Sequence, residues 1–563
     1  MCGIAGILSQ QNRTHELDAM LAIQNHRGPD FTGRWSSEGA YIGHNRLSII
    51  DLGADSNQPF KNGRYVLTFN GEIYNYLEIK QELPEYNFTT NGDTEVLLAA
   101  FLKWGKDCLK KLRGMFAFAI YDTETRELFA ARDRFGVKPF HYAIINGEFV
   151  FASEIKAILA SGLLKKQWNE KVWANYLSFA QYNMEQDTFY DGIEQIKPGE
   201  HIHIKEGKIT KTKYYNFEQN LDFEQWDGKE DEEIKAIVKA KLIECINLRL
   251  RADVKRGFNL SGGVDSTLMF SLIKDQLAPE ITSAFSFYCD DKDYDELEWV
   301  NQIIGTTGYN WNHCLFKKEE FADYATKIQW HQDEPFAGLA TMAYARTFEE
   351  ARKNDYIVML DGTGIDEQVG GYDYYYNNSG SLVQGTTSSP TRPHTLNKQF
   401  AAKANKYRYE KPFNNELLNL QYRDIFHTKL PRALRMTDRI SMAFSTEMRE
   451  PFLDHELMEM CFSLPFSFKL REGKRKWIMR QIIKDDLQTS LTDAPKRPIQ
   501  TPQREWLSHD HKDWVRDTIA KGMQKVDWLN AKEVEVELNN FFTKDNSNSF
   551  YIWQWVSLGL LNN

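Results

Sequence analysis

Residues 257–266 read Gly-Phe-Asn-Leu-Ser-Gly-Gly-Val-Asp-Ser, and no other stretch of the 563-residue chain restricts the possible folds as tightly. A short apolar segment, Gly257–Leu260, breaks at Gly262 and Gly263, and an amphipathic run with Leu268, Met269, Phe270, Leu272 and Ile273 follows. The pattern predicts a strand, a tight turn and a helix. Glycine lets the backbone approach an anion closely, and the N–H groups of the loop and helix start point at it. Asp265 then stands where a carboxylate can hold magnesium against phosphate oxygens. No G-x-x-x-x-G-K-[ST] motif occurs in the chain, so the lysine cradle that usually grips the β- and γ-phosphates is missing. A tight turn without a ligand is the competing reading.

Around this loop the chain alternates. A charged amphipathic helix is expected from Asp231 to about Arg251, with Ile234, Ile237, Val238, Leu242 and Ile246 at helical spacing. Strand candidates are Gly257–Leu260, Ile281–Cys289 and Tyr356–Leu360. Strands alternating with helices indicate a parallel sheet, which binds ligands at the carboxyl ends of its strands. The first third reads as a layered β-rich domain. Tyr65–Asn70, Met115–Tyr121, Leu128–Arg132 and Phe149–Ala152 are short, rich in Val, Phe and Tyr, and broken by Gly and Asp, while Glu95–Leu102 and Glu154–Leu159 show helical periodicity. The polar stretch 206–230 is expected to be a linker between domains 2–205 and 231–563.

Composition excludes several classes. The length leaves room for two or three domains, and 42% hydrophobic with 26% charged residues is ordinary for a soluble globular chain. A net charge of −10 argues against a nucleic-acid partner. No apolar run approaches the ~20 residues of a membrane span, and the N-terminus lacks a signal peptide's charged region. The six cysteines (2, 108, 245, 289, 314 and 461) form no C-x-x-C pair, which points away from zinc and disulfides and toward a reducing cytoplasm. A homodimer is compatible with this composition, which does not fix the oligomeric state.

Cys2 is the second strong signal. Removal of Met1 would leave a thiol beside its own α-amine, whose ordinary pKa of about 7.7–8.0 leaves it partly unprotonated near neutral pH. Nucleophile and base then share one residue, as acyl transfer requires. Downstream come His26-Arg27-Gly28-Pro29-Asp30, Arg46-Leu47-Ser48, Asn70-Gly71-Glu72, Gly92-Asp93-Thr94-Glu95, Gly114–Asp122 and Arg132-Asp133-Arg134-Phe135-Gly136. Singly, these residues have plainer readings. Asn70-Gly71 is a hairpin turn signal, Arg46 and Asp93 are ordinary surface charges, and His26 is a structural histidine.

In this order, over residues 2–200, the pieces resemble the class II glutamine amidotransferase domain, an N-terminal-nucleophile hydrolase. The resemblance implies an α+β fold, an αββα sandwich of two antiparallel sheets between helices. It implies that Cys2 attacks the side-chain amide of glutamine, that Arg46 holds the α-carboxylate, that Asp93 and Glu72 accept from the α-ammonium, and that Asn70 and Gly71 form the oxyanion hole. His26 stays structural.

Residues 230–560 resemble the synthetase domain of glutamine-hydrolysing asparagine synthetases. The matching pieces are Leu260–Ser266, Ala284–Phe287, Asp333-Glu334-Pro335-Phe336, Asp361–Glu367, Gly370-Gly371-Tyr372, Asp438–Ala443, Arg449–Asp454 and Lys474–Lys476. The 261–266 loop itself resembles that of ATP pyrophosphatases, which cleave ATP to AMP and pyrophosphate. The resemblance implies an α/β parallel-sheet domain with a helical C-terminal part. Leu260, Phe287 and Gly362 would give backbone contacts to adenosine, and Ser261, Gly262, Gly263 and Ser266 would cradle phosphates. Asp265 and Asp366 would bind Mg2+, and Lys476 would face the α-phosphate. Asp366-Glu367 as a helix N-terminus, and Lys474–Lys476 as a solvated face, are the competing readings.

Together these pieces imply a cytoplasmic ligase using glutamine, ATP and an acceptor carboxylate, with aspartate the leading acceptor and a uronic acid the alternative. One departure bears on the acceptor. The family usually reads Ser-Gly-Glu-Gly where this chain has Asp361-Gly362-Thr363-Gly364, so its glutamate is replaced by Thr363. Asp361 either replaces that acid, binds the ribose or caps the turn. Thr363 and Gly338 both look like space made for a larger acceptor.

Overall fold

Alternating apolar segments of the first third pair into two antiparallel sheets of six strands. Their orders are 194–195, 141–145, 148–152, 3–9, 39–46, 31–37 and 208–213, 200–205, 128–132, 114–122, 65–73, 60–62. The facing sides interlock through Ile4, Ile42, Val66, Ala117, Ala119, Phe140 and Phe151. Helices Thr14–Ile23 and Ile155–Ala160 pack against the first sheet and Asp93–Trp104 against the second, completing the αββα sandwich. This computed structural model describes residues 1–182, 186–274, 282–289, 291, 293–305, 308–376, 389–487 and 501–562. Ile281 and residues 377–388 of the Ser/Thr/Gly/Pro-rich loop lie outside them.

The second half is built on a five-stranded parallel sheet in the order 310–316, 282–289, 256–259, 358–360, 447–449. Chain order reverses between strands 256–259 and 358–360. The loops leaving their carboxyl ends, Leu260–Ser266 and Asp361–Glu367, therefore open onto the crevice where such sheets bind ligands. Helices Lys512–Lys525, Ala531–Thr543 and Phe550–Leu561 form the C-terminal part. Among the described residues no helix is long and apolar enough to cross a membrane.

The 206–230 stretch is more ordered than a linker. Lys208–Lys213 is an edge strand of the second sheet, and Tyr215, Phe217 and Trp226 are buried. Tyr215 donates to Glu459 at 2.7 Å and Trp226 to Ser463 at 3.1 Å. Three aromatic side chains inside a polar stretch fasten it to the second half.

Buried charges join the halves. Arg27, fully enclosed, donates to Asp438 at 2.9 and 3.2 Å and to Glu154 at 3.0 Å. Lys156 pairs with Asp333 at 3.1 Å. The His26-Arg27 and Asp438-Arg439 motifs thus meet as an interdomain clamp, and His26 contacts Glu154 at 3.1 Å in the same cluster. Removing one partner of such a pair strands a buried charge, whereas the intact network fixes how the halves dock.

Candidate active sites

Cys2 immediately precedes the strand Gly3–Ser9, inside the first sheet. Its N–H donates to Asn70 Oδ1 at 2.9 Å and its carbonyl accepts from Arg27 Nε at 3.0 Å. Asn70 and Gly71 lie within the strand Tyr65–Ile73, not in a hairpin turn. Gly71 has φ +153°, and a Cβ there would come within 2.1 Å of the Met115 carbonyl oxygen, so no side chain fits. Asn70 Nδ2 is buried without a hydrogen-bond partner, on a side chain whose Oδ1 accepts from the Cys2 N–H.

Arg46 is buried, and its guanidinium donates to the Gly53 carbonyl and Asn57 Oδ1, both at 2.7 Å, and to the Asp51 carbonyl. None of these partners is a carboxylate, so its positive charge is left to act on a guest. Glu72 and Asp93 line the same small pocket with Cys2 and Arg46. Asp93 accepts from the Ile73 N–H at 2.8 Å. Burial, with Glu447 nearby, holds its carboxyl up at about 6, and burial together with Glu447 and Asp93 raises Glu72 well above the usual range. The predicted glutamine contacts thus converge on one place.

Sequence reasoning missed two members of this centre, both from the second half. Glu447 accepts from the Met1 ammonium at 2.7 Å, and Arg449 approaches Glu72 at 3.4 Å. Met1 itself is buried in the pocket wall, leaving a cavity of only about 30 Å3. Burial pushes the Cys2 thiol up despite the neighbouring ammonium, so a base is needed to generate the thiolate.

A cavity of about 640 Å3 occupies the switch point of the parallel sheet. Ser261, Gly263, Asp265, Ser266, Asp361, Gly362 and Asp366 line it, as does Lys476. Ser266 Oγ accepts from the Ser261 N–H at 3.1 Å and donates to the Ser261 carbonyl at 2.8 Å, fixing the turn that precedes the helix Val264–Ile273. Leu260, Gly262 and Phe287 are not in the cavity wall. Leu260 is buried, with its N–H on the Phe285 carbonyl at 3.0 Å, Gly262 lies against Trp299, and Phe287 sits in the strand Thr282–Cys289.

Lys476 Nζ stands 2.6 and 2.8 Å from the Asp265 carboxylate oxygens and 2.5 Å from Asp366 Oδ1. Burial favours the neutral amine, but the two carboxylates outweigh it and hold the ammonium protonated beyond its ordinary range. The lysine reaches this point with φ +55°, a left-handed conformation that costs on the order of 1–3 kcal/mol and suits a functional site. Gly371 makes the pairing possible: a Cβ there would fall 1.8 Å from Asp366 Oδ1 and 2.3 Å from Lys476 Cε. The competing reading of Lys474–Lys476 as a solvated face fails for Lys476, which is 4% exposed.

The carboxylates therefore converge on one cation position beside the Ser261–Ser266 loop. Among the described residues no group of three or more His, Cys, Asp or Glu side chains could hold a metal. Two carboxylates completed by phosphate oxygens and water are what Mg2+ usually takes, so the residues fit it.

Asp361 has partners of its own in the cavity wall. Its carboxylate accepts from the Thr363 N–H at 2.9 Å, from the Thr363 hydroxyl and from Tyr344. It caps the turn while lining the cavity. Gly338 does not widen the cavity either. It has φ +83°, and the space a Cβ would take is filled by Gln503 Oε1 at 2.1 Å, which accepts from the Leu339 N–H at 2.7 Å. The expectation of a widening at 338 is thereby corrected. Arg475, within the Lys474–Lys476 motif, also lines the cavity, as do Arg480, Tyr182, Arg432, Phe550 and Trp553, which are scattered along the chain without a local motif.

Two family models match this chain: the glutamine amidotransferase domain over residues 1–215 and asparagine synthase over residues 238–561. Asparagine synthetase [glutamine-hydrolyzing] 1 of Bacillus subtilis is 28% identical, covering 98% of this chain and 95% of its own. Asparagine synthetase [glutamine-hydrolyzing] 3 of the same organism is 27% identical, covering 92% and 89%. Amidase chyE of Penicillium rubens is 25% identical, covering 97% and 95%.

The acidic side of the first centre gives a testable pH dependence. Asp93 is a carboxylate only above about pH 6, and an ammonium guest needs it charged. KM for glutamine should therefore rise as pH falls through about 6, by up to about tenfold per unit for one proton. Initial rates of glutamate release between about pH 5 and 8 check this, and a KM flat across that range would remove Asp93 from ammonium recognition.

Proposed function

The chain belongs to the asparagine synthase family, and from that premise we propose that it converts aspartate to asparagine, with glutamine as nitrogen donor and ATP as activator. Lys476 held between Asp265 and Asp366 beside the Ser261–Ser266 loop carries the reading. A cation position faced by two acids at a phosphate loop suits cleavage between the α- and β-phosphates.

In the first centre the freed α-amine of Cys2 takes the thiol proton, and the thiolate attacks the amide carbon of glutamine. Arg46 holds the α-carboxylate, and Glu72 and Asp93 hold the α-ammonium. The negative charge on the amide oxygen falls toward Asn70 Nδ2 and Gly71. Ammonia leaves, and water then releases glutamate from the thioester. Ammonia moves inside the protein, because in water near neutral pH it is mostly protonated and no longer a nucleophile.

In the second centre the loop and the start of helix Val264–Ile273 receive the phosphates. Mg2+, when held by Asp265 and Asp366, would neutralise the departing pyrophosphate. Lys476 then turns from the two acids toward the α-phosphate. The acceptor carboxylate attacks there, forming an acyl-adenylate that ammonia opens to the amide and AMP.

Exchange of labelled pyrophosphate into ATP tests the reading without the glutaminase half. Clear exchange at millimolar aspartate is expected, with AMP as the nucleotide product once ammonia is supplied. ADP as the main product would overturn the adenylation chemistry. No exchange with aspartate, beside intact glutamine hydrolysis, would favour a larger carboxylate such as a uronic acid. One observation leans that way: Tyr182, Phe550 and Trp553 give the cavity an aromatic wall.

A further inference from the structure

The helix Lys429–Met442 runs along the synthetase cavity, and its arginines recur at 432, 435 and 439. Two are neutralised by the fold. Arg435 pairs with Glu334 at 3.1 Å and donates to the Pro335 carbonyl at 2.9 Å, and Arg439 pairs with Glu154 at 3.2 Å and approaches Asp333 at 3.7 Å. Arg432 differs. It lines the cavity, and no carboxylate among the described residues stands within ion-pair distance of it. Its guanidinium lies 5.3 Å from the ring centroid of Tyr182, a buried residue of the same wall.

One turn earlier stands a second cation without a counter-ion. Lys429 is 5% exposed, and its Nζ is buried without a hydrogen-bond partner. The ammonium sits 5.4 Å from the Tyr372 ring and 5.3 Å from the Tyr374 ring, and Tyr372 faces the cavity. Burial and Arg432 hold Lys429 down at about 7, with Asp424 and Glu367 acting in the opposite sense. Aromatic faces attract a cation but do not cancel its charge. The one permanent positive charge of this wall that no carboxylate among the described residues pairs is therefore that of Arg432, while Arg475, Arg480 and Lys476 gather near the Ser261–Ser266 loop.

We propose that Arg432 determines acceptor specificity by binding a second carboxylate on the substrate, so that accepted substrates are dicarboxylates. This rests on the reading of the cavity as an amide-forming synthetase site. One carboxylate is activated beside Lys476, and the other pairs with the guanidinium over Tyr182. A planar, permanently charged fork suits a carboxylate, which lysine would meet as a point charge only.

The test is pyrophosphate exchange by the full-length protein with aspartate and with aspartic acid α-amide, which keeps the reacting carboxylate and lacks the second. The wild type should prefer aspartate on the order of 10–100-fold in kcat/KM, the scale of a lost charge-assisted hydrogen bond. Arg432→Gln should raise KM for aspartate by a similar factor and erase that preference, leaving KM for ATP within threefold and the melting transition unchanged. Arg432→Lys should recover part of the loss. A preference that survives in Arg432→Gln, or an equal rise in KM for ATP, would overturn the assignment.

If the wild type does not exchange with aspartate, succinate, glutarate and glucuronate are compared next. Exchange with a dicarboxylate upholds the role of Arg432 while removing aspartate as the substrate. Exchange with glucuronate alone removes the role of Arg432 while leaving amide synthesis in place.

Discussion

Cys2→Ala should lower glutamine hydrolysis by about 10^4-fold or more, the scale at which loss of a covalent nucleophile acts. Amide formation from ATP, acceptor and ammonium salts should stay within about twofold of wild type. The thiol is enclosed in the first half, where its backbone contacts are Asn70 and Arg27, and nothing in the 640 Å3 cavity of the second half depends on sulfur. Alanine in place of a buried cysteine removes one sulfur atom and leaves those backbone bonds in place. Retaining Met1 should act like Cys2→Ala on the glutaminase reaction, because Met1 fills the pocket and ties its ammonium to Glu447. Glutamate release and ammonia-dependent amide formation are measured side by side. Glutamate release at the wild-type rate from Cys2→Ala would refute the nucleophile assignment, and parallel loss of both activities would refute the separation of the two centres.

The second large effect is expected at Lys476. Lys476→Met keeps the length of the side chain and deletes its charge, leaving Asp265 and Asp366 facing each other without their shared ammonium. Pyrophosphate exchange should fall on the order of 10^2–10^3-fold, as when one preorganised electrostatic contact to a transition state is lost. Glutamine hydrolysis should persist, because Cys2, Arg46 and Asp93 lie in the other pocket. Raising Mg2+ should recover little, since the missing charge belongs to the α-phosphate side of the site. Exchange within threefold of wild type would place Lys476 outside the chemistry and leave it a structural partner of the two acids.

Local pattern carried much of the fold into the sequence. Gly257–Leu260 and the glycine pair after it were legible because apolar content, glycine and amphipathic spacing follow one another within 17 residues, and the strand Arg256–Asn259 and helix Val264–Ile273 stand there. Leu128–Arg132 is a strand with the same ends as read from the sequence. The edge of the parallel sheet was not legible. Glu447-Met448-Arg449 is three residues long and two-thirds charged, yet fully buried, because its charges pair with each other, with Glu72 and with the Met1 ammonium. Such compensation comes from residues hundreds of positions away, beyond the reach of any local window.

The same limit applied to the sites. Cys2, Arg46, Asp93, Asp265, Asp366 and Lys476 stand inside motifs, and the fold gathers the first three in one pocket and the last three in another. Arg432 and Tyr182 belong to no motif and meet only across the folded cavity. Asp361 shows the converse: the motif marked it, but Tyr344 and Thr363 occupy its carboxylate.

The placement of Arg449 bears on the order in which the protein becomes competent during its own synthesis. Its guanidinium is the positive partner beside Glu72, and it also binds the carbonyls of Arg249 and Arg251, both at 2.7 Å. A ribosome that has made the whole of the first sandwich still lacks this side chain by more than two hundred codons. Until then, Glu72 has no counter-charge from the second half. The nascent polypeptide therefore cannot complete the charge pairing of Glu72 before the strand that also supports the Asp361 turn, through the Arg449 carbonyl at 2.9 Å, has been translated.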